Sequence, residues 1–331
     1  MLIVTSEPIK IVGVGGMGCR IVRSLMGCLG GHVGNVYIDI DADELKQYRG
    51  HPTIQLRVSA TKPMLPDAAN AAAEDAQRHL RHALGGARMV FIVSALGGVA
   101  GSGATAVVAR VAHELGILTM CAVTFPHKEN PTFPAHHANN AANAQYGLAS
   151  LRQTSVSLIK VRDRKRFAPD FFCPENSWSE DPNLTLRYED VICDIKSCLR
   201  TFIADVVEMV VTGFHSSDLE DLRYVMMRRG MAMLRVSVCG GHRKIENTLW
   251  SVALAHDIEF KLKEAKCDFF IIASNEEQFC TRQLVYALNL LRRILGPEAH
   301  ISYGYVCDPT LGSMLRMTLL ATGAKDDQFE C

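Results

Sequence analysis

The first half of the chain alternates short apolar runs with segments whose apolar residues recur at helical spacing. Each apolar run is under ten residues long, which is typical of a buried β-strand. The predicted strands are 9–14, 36–40, 89–95 and 117–124, and the predicted helices between them are 19–26, 68–84 and 104–115. Because strands and helices alternate, the pattern indicates an α/β fold in which helices cover both faces of a parallel sheet.

The second half is organised around one long helix. From residue 185 to residue 212 the chain has no Gly or Pro, its apolar residues recur at helical spacing, and Gly213 supplies a C-terminal cap. Further elements are predicted as helices at 218–234 and 276–295 and strands at 267–273, 300–306 and 315–321. We therefore expect a first domain at 1–184, a central helix at 185–213, a smaller α+β domain at 214–323 and a short tail at 324–331.

Composition and charge argue against several classes of protein. Lys+Arg and Asp+Glu number 35 each, so no overall field favours nucleic acid or anionic lipid. No apolar run is long enough to span a bilayer, and the first residues lack the pattern of a signal peptide. The eleven cysteines form no CxxC pair and are interpreted as reduced thiols, not zinc ligands. We expect a cytoplasmic protein without a metal site of its own, without nucleic-acid binding and without direct membrane binding.

The stretch 97–103 is the strongest indication of chemistry in the chain. It reads Gly97, Gly98, Val99, Ala100, Gly101, Ser102, Gly103 and lies between a predicted buried strand and an alanine-rich helix. Few side chains stand in the way, so a phosphate chain can lie on bare backbone N–H groups at the positive end of the helix. The alternative is a glycine-rich turn with a purely structural role. Phosphate binding is the preferred interpretation, and it predicts a bound nucleotide.

A second glycine turn precedes it at Gly13, Gly15, Gly16 and Gly18. Taken literally this is G-x-G-x-x-G opening a helix, with Asp39 or Asp41 after the next strand where a ribose-binding acid belongs. A dinucleotide-dependent oxidoreductase has this local pattern. The glycines at 97–103 have no standard use in that fold, so the NAD hypothesis is kept as a minority alternative.

Taken together, these motifs resemble the tubulin/FtsZ superfamily. The resemblance rests on 13–18, 97–103 and 116–124 in that order, and on the C-terminal run 307–323. It implies a GTP-binding domain, a long central helix and a second domain that docks on the nucleotide of the next subunit. It further implies head-to-tail filaments in which GTP hydrolysis requires two subunits.

The resemblance also assigns residues to the nucleotide pocket. Phosphate contacts would come from Gly15, Gly16, Met17 and Gly18 and from 97–103, where Ser102 matches a hydroxyl and Ala100 replaces a threonine. Arg20 stands where FtsZ has an asparagine, and it would contact phosphate or guanine or remain a solvated helix residue. His136 and Asn140 replace the glutamate and arginine of the ribose loop. Base recognition would fall to Asp194 or Asp190.

Other positions depart from the family pattern. The segment 60–70 has two prolines and no glycine where FtsZ is glycine-rich, so it is interpreted as an altered surface loop unless Lys62 replaces the lost donors. Asp39 adds a negative charge that is compatible with a triphosphate chiefly if Mg²⁺ intervenes. The histidines His127, His136 and His137 raise a metal hypothesis. We prefer a polar loop there, because nothing in the segment fixes ligand geometry.

Two aspartates match the catalytic loop of the family. Asp218 and Asp221 lie three residues apart at the start of a predicted helix, share one face and could polarise a water against the neighbour's terminal phosphate. The alternative is a capping box of Ser217 and Glu220, with acids that favour the first turn of a helix.

The sequence therefore predicts a divergent FtsZ-like cytoskeletal protein of a bacterial cytoplasm, with a cell-division type of role. It would bind GTP or GDP with Mg²⁺ and assemble with itself, and hydrolysis makes it a possible GTPase. Because the chain ends soon after residue 323, attachment through a C-terminal membrane-tether peptide is not expected. The main alternative is a slow or non-hydrolysing partner of another FtsZ-like protein, and the NAD-dependent enzyme is the third.

Overall fold

The computed structural model describes most of the chain. The described residues are 9–27, 29, 33–59, 64–126, 134–154, 157–161, 198–209, 216–226, 230–241, 243–254, 267–275, 281–295 and 300–324. The chain divides into two compact units, Met1–Arg162 and Asp163–Gln328. The domain limits expected from the sequence stay a prediction.

The first unit is built on a parallel sheet. Its strands are β1 (Ile9–Val14), β2 (Val33–Asp39), β3 (Thr53–Gln55), β4 (Met89–Ala95), β5 (Leu118–Thr124) and β6 (Ser157–Val161), in the order β3-β2-β1-β4-β5-β6. β1 pairs in parallel with β2 on one side and β4 on the other, so that Val12 lies between Val36 and Ile92. The α/β fold with a parallel sheet is confirmed.

The helices of this unit are α1 (Gly15–Met26), α2 (Ala42–Leu45), α3 (Pro66–Asp75), α4 (Gln77–Leu84), α5 (Val99–Glu114) and α6 (Pro134–Arg152). Alanine and glycine let α3 and α5 pack closely, since a Cβ on Gly103 would overlap the backbone carbonyl of Pro66. Most of α5 is buried, from Ala100 to Ala112. This packing fixes α5 against the sheet and so fixes the position of its first turn.

Replacing Gly103 with alanine should lower the free energy of unfolding by about 1–3 kcal/mol, because the methyl group meets backbone atoms that cannot rotate away. Gly98→Ala is the matched control, since a Cβ there has no atom within 4 Å and φ is −75°. Chemical denaturation of both variants measures the difference. Equal stability of the two variants would contradict the packing role of Gly103.

The second unit contains a mixed sheet. Its strands are β7 (Gly230–Cys239), β8 (Cys267–Ser274), β9 (His300–Cys307) and β10 (Leu315–Ala324), in the order β7-β10-β8-β9. β10 runs antiparallel to both β7 and β8, whereas β8 and β9 are parallel. Its described helices are α7 (198–209), α8 (Ser216–Met226), α9 (Lys244–Leu254) and α10 (Thr281–Leu295). α9 and α10 pack on the sheet through a core that includes Leu249, Leu291, Phe270 and Leu319.

Several predicted elements need correction. The helix predicted at 218–234 ends at Met226, and residues from Gly230 onward form β7 because the segment pairs along its length with the antiparallel β10. The helix predicted at 68–84 is two helices that meet at Ala76. The polar loop predicted around the histidines and asparagines is α6. Strands β3 and β6 and helix α9 have no counterpart in the sequence prediction. Of the predicted central helix, 198–209 is helical and the remainder lies outside the described residues.

Within the described part of the chain, no helix is both long enough and apolar enough to cross a membrane. Two of its cysteines, Cys19 and Cys121, are fully buried. Burial raises the pKa of the Cys19 thiol to about 12, so this sulfur stays protonated and unreactive.

Candidate functional site

The first part of the site is the N-terminus of α1. β1 ends at Val14 and the helix begins directly at Gly15, so Gly15, Gly16, Met17 and Gly18 form its first turn instead of a preceding loop. No side chain caps this end, and its first turn contains no acidic residue. The first N–H groups of a helix have no partner inside the helix and carry its positive partial charge. This end of α1 is therefore suited to an anion.

The second part is the N-terminus of α5. Gly98 is the N-cap, and Val99, Ala100, Gly101 and Ser102 form the first turn, so the predicted loop is a turn at 96–98 followed by helix. Here too no side chain caps the helix and its first turn is free of acids. The stretch 97–103 thus supplies a second uncapped helix end.

The two helix ends touch. β1 and β4 are neighbouring parallel strands with Val14 paired to Ser94, so the helices that follow them begin at the same edge of the sheet. A Cβ on Gly15 would lie 3.1 Å from the amide nitrogen of Gly101 and 3.6 Å from Cβ of Ala100. Two positive helix ends therefore lie side by side, an arrangement suited to a polyphosphate.

Glycine is also required on the side of these two helix ends that faces β4. A Cβ on Gly18 would overlap the carbonyl oxygen of Val93, and a Cβ on Gly101 would overlap that of Ala95. Both helices approach β4 so closely that no side chain fits between. The glycines predicted as phosphate-binding residues therefore have a packing role as well.

A buried hydroxyl network holds the turn in place. Ser102 is 1% exposed, and its Oγ accepts a hydrogen bond from the Gly97 amide at 2.8 Å. Ser94 Oγ donates to the carbonyl of Val14 at 3.3 Å and accepts from Thr105 Oγ1 at 2.9 Å. The Ser102 hydroxyl, expected at the phosphate, thus faces the Gly97 amide, and the network joins β1, β4 and α5.

Helix α6 lies against the same turn. Asn143 Nδ2 donates to the carbonyl oxygen of Gly97 at 2.9 Å, and a Cβ on Gly97 would lie 3.3 Å from the backbone oxygen of Asn140. Asn140 is half-buried, and His136 is in the first turn of the helix. Sequence reasoning missed the role of Asn143. Its spacing of three residues from Asn140 would have placed both on one helix face, had the segment been recognised as a helix.

Acidic side chains border the α1 end of the site. Asp39 is 4% exposed at the end of β2, its Oδ1 accepts from the Ile40 amide at 2.7 Å, and its Oδ2 lies 3.5 Å from where a Cβ on Gly16 would be. Burial raises the pKa of Asp39, and the nearby charges of Asp41 and Glu44 add to this effect. A carboxylate beside a phosphate site suits Mg²⁺, which is commonly held by one or two carboxylates together with phosphate oxygens.

Arg20 already has a partner. Its Nε donates to Glu44 Oε1 at 3.0 Å and its Nη2 to Glu44 Oε2 at 3.2 Å. Glu44 itself lies beside the α1 turn, with Cδ 3.7 Å from the position of a Cβ on Gly16. Arg20 would have to leave Glu44, or share it, to contact phosphate or base. Asp41 caps α2 by accepting from the amides of Asp43 and Glu44, so its carboxylate serves the helix.

The predicted catalytic pair is on α8 in the second unit. Asp218 lies in the first turn and Asp221 one turn later, where it is half-buried beside the fully buried Leu222. Glu220 is on the exposed side and pairs with Arg223 at 3.7 Å. The described backbone therefore places both aspartates in the N-terminal half of one helix.

Some predicted site residues lie outside the described part of the chain, namely Asp190, Asp194, Lys62 and His127. Among the described residues no group of three His, Cys, Asp or Glu side chains could hold a metal ion by itself.

Comparison with known proteins identifies the family. Residues 8–165 match the model of the tubulin/FtsZ family GTPase domain. The cell division protein FtsZ 1 of Thermococcus kodakarensis is 28% identical over 322 residues, which cover 95% of this chain and 80% of that protein. The structure of a mutant FtsZ from M. jannaschii has a TM-score of 0.77 at 23% identity and covers 96% of this chain and 91% of that one. A GTPγS-bound protofilament of CetZ2 from Haloferax volcanii has a TM-score of 0.71 at 16% identity, with 97% and 94% covered.

Proposed function

The chain belongs to the tubulin/FtsZ family, and on this premise we propose that it binds GTP and GDP, assembles head to tail with itself and completes GTP hydrolysis between subunits. The family match favours this function over the dinucleotide-dependent enzyme. FtsZ and CetZ relatives both occur among the similar proteins, and archaeal ones are among them, so the bacterial source expected from the sequence is not adopted.

The observation that carries the proposal is the contact between two uncapped helix ends. Gly15 and Gly101 bring the N-termini of α1 and α5 together at the edge of β1 and β4. A hydrogen bond to a charged group contributes about 1.5–3 kcal/mol, so several amides directed at one phosphate chain are sufficient for tight binding. In this proposal Gly15 to Gly18 and Gly97 to Gly103 hold the phosphates.

Mg²⁺ would be held by Asp39 together with phosphate oxygens, where it supplies positive charge that offsets the triphosphate. Asp39 is oriented by its own loop, since Oδ1 accepts from Ile40 while Oδ2 faces the α1 turn. His136 and Asn140 on α6 are proposed for the ribose, and Asp194 or Asp190 for the base.

Hydrolysis is proposed to use Asp218 and Asp221 of one subunit against the nucleotide of the next. The CetZ2 protofilament with GTPγS supports a filament in which nucleotide is bound. Two acids on one face of α8 could orient a single water, because residues three apart on a helix are neighbours.

A second candidate is a subunit that binds nucleotide but turns it over slowly or not at all. It is favoured by the Arg20–Glu44 pair, which places a carboxylate beside the α1 turn, and by Ala100, which lacks a hydroxyl. The two candidates differ in the rate of phosphate release.

The test of binding uses two glycines with similar positive φ. Gly15 has φ of +76° and Gly86 has φ of +79°, so alanine is strained at both positions, but only at Gly15 does the methyl group reach the amide of Gly101. We expect Gly15→Ala to raise the Kd for GTP about tenfold to a hundredfold, the loss of one charged hydrogen bond, and Gly86→Ala to leave it unchanged.

Wild-type protein should in addition release guanine nucleotide on denaturation, and its light scattering should rise on addition of GTP with Mg²⁺. Elution of NAD or an equal Kd for both variants would contradict the proposed site. A normal Kd without any rise in scattering would contradict the assembly part alone.

A further inference from the structure

Helix α7 carries a buried carboxylate that the proposed nucleotide site does not use. Asp205 is 2% exposed, in a helix whose neighbouring positions Phe202, Ile203 and Val206 are fully buried apolar residues. An aspartate at such a position is costly unless it is paired and hydrogen-bonded. The role of Asp205 is therefore inferred from the groups that bind its carboxylate.

Both oxygens of Asp205 are bound by β10. Arg316 Nη2 donates to Oδ1 at 2.5 Å, and Thr318 Oγ1 donates to Oδ2 at 3.2 Å. Arg316 and Thr318 are two residues apart on one strand and so lie on the same face of the sheet. These two hydrogen bonds fix where Asp205 lies along β10 and how α7 is rotated about its own axis.

The network continues beyond the helix. Arg316 Nη1 donates to Asp308 Oδ2 at 2.7 Å, and Asp308 Oδ1 accepts from the Thr310 amide at 3.0 Å. The single guanidinium thus joins α7, β10 and the segment that follows β9. One turn after Asp205 on the same helix face, Met209 packs against Gly304 of β9 so closely that a Cβ there would lie 2.8 Å from its Sδ.

Six residues, 210–215, separate the last described residue of α7 from the first residue of the proposed catalytic helix in the sequence. The second half of α8 is attached to the sheet independently, through the buried Leu222, Val225 and Met226 and a hydrogen bond from Thr322 Oγ1 to the carbonyl of Val225. Its first half, which carries Asp218 and Asp221, is the half nearer to α7 along the chain.

We propose that Asp205 is a positioning residue for hydrolysis: by holding α7 on β10 it sets where the first half of α8 places its two aspartates. This inference rests on the proposed GTPase function. Asp205 takes no part in chemistry and touches no substrate.

The test compares Asp205→Ala with Asp205→Asn. Alanine removes both contacts, whereas asparagine can still accept from Arg316 and can donate to Thr318. A misplacement of about 1 Å can cost on the order of a hundredfold in rate, so we expect kcat for phosphate release to fall about tenfold to a hundredfold in Asp205→Ala at unchanged Kd for GTP. Asp205→Asn should restore kcat to within about threefold of wild type, as a positioning role requires. Amide hydrogen exchange of 198–209 should be faster in the alanine variant and normal in the asparagine variant.

The outcomes separate this inference from the function on which it rests. If the wild type binds GTP but releases no phosphate, the hydrolytic function fails and this role fails with it. If the wild type turns over and folded Asp205→Ala has the same kcat, only the positioning role is overturned. Equal losses of kcat in both variants would also overturn it, since the conservative substitution must rescue. If Asp205→Ala does not fold, Thr318→Val, which removes one of the two hydrogen bonds to Asp205, takes its place and should lower kcat without changing Kd; an unchanged kcat would overturn the role.

Discussion

Asp221→Ala should slow phosphate release by about 10²- to 10⁴-fold, the usual contribution of a positioned acid–base group, and leave the Kd for GTP unchanged. Asp221 lies in the second unit, on α8, and the proposed phosphate contacts lie in the first. The control is Glu220→Ala, which removes the neighbouring acid on the exposed side of the same helix. Steady-state phosphate release and GTP binding are measured on both variants. If Glu220→Ala loses as much rate as Asp221→Ala, the negative charge of this part of α8 is responsible and Asp221 has no specific role.

Mixing two impaired variants, at a GTP concentration that does not saturate Gly15→Ala, tests whether hydrolysis is shared between subunits. Gly15→Ala keeps its aspartates but binds GTP poorly, and Asp221→Ala binds GTP but lacks the acid. In a head-to-tail filament of a random one-to-one mixture, about a quarter of the interfaces combine an intact nucleotide site with an intact acid. We therefore expect the mixture to regain a measurable fraction of wild-type activity. If the activity of the mixture is only the average of the two variants, both functions belong to one subunit.

The first unit could be predicted well from the sequence because its strands are buried on both faces. Continuous apolar runs such as Val90 to Val93 are typical of the inside of a parallel sheet, and the alternation with helices then fixes the layers. The second unit is less predictable. In the sequence, the first residues of β7 continue the helical pattern of α8. The segment Met231 to Leu234 is compatible with a helix or a strand, and only its pairing with β10 decides for the strand. Tertiary pairing overrides the local pattern there.

The candidate site shows the same division. Its glycines are predictable from spacing alone, since few residue types fit at the start of a helix that touches another helix. The ion pair of Arg20 with Glu44 is not, because the two residues are 24 positions apart and only the fold brings them together. Helix α6 is not predicted as a helix for a different reason. Its small and polar residues show little amphipathic pattern, and its glycine at 147 packs against Ser102 where a sequence pattern indicates a break.

Arg316 pairs with two carboxylates, Asp205 and Asp308. Replacing each aspartate with neutral asparagine should change the stability of the protein in opposite directions. Burial raises the pKa of Asp205 despite the charge of Arg316, so the folded protein binds its proton more tightly than the unfolded chain does, and ionisation costs stability as the pH rises. Burial also opposes ionisation of Asp308, but hydrogen bonds from Thr310 and Arg316 outweigh it and lower the pKa of Asp308. Its contribution is present above the pKa of the unfolded chain and is lost as the pH falls. At pH 7, Asp308→Asn should therefore destabilise the protein, whereas Asp205→Asn should be neutral or stabilising; denaturant unfolding of both variants measures this.

Arg316→Met should lower the free energy of unfolding by about 3–5 kcal/mol, because it leaves two carboxylates in the second unit without their countercharge. The matched control is Arg110→Met, which also removes an arginine from two carboxylates, Glu74 and Glu114. That cluster is 35–39% exposed, so its loss should cost at most about 1 kcal/mol. Denaturant unfolding at pH 7 compares the two variants. Lowering the pH should narrow the difference in stability between the two variants, since protonation of Asp205, whose pKa is raised by burial, removes one of the two unpaired charges. A difference that stays constant with pH would mean that Arg316 stabilises the protein by packing and not by charge.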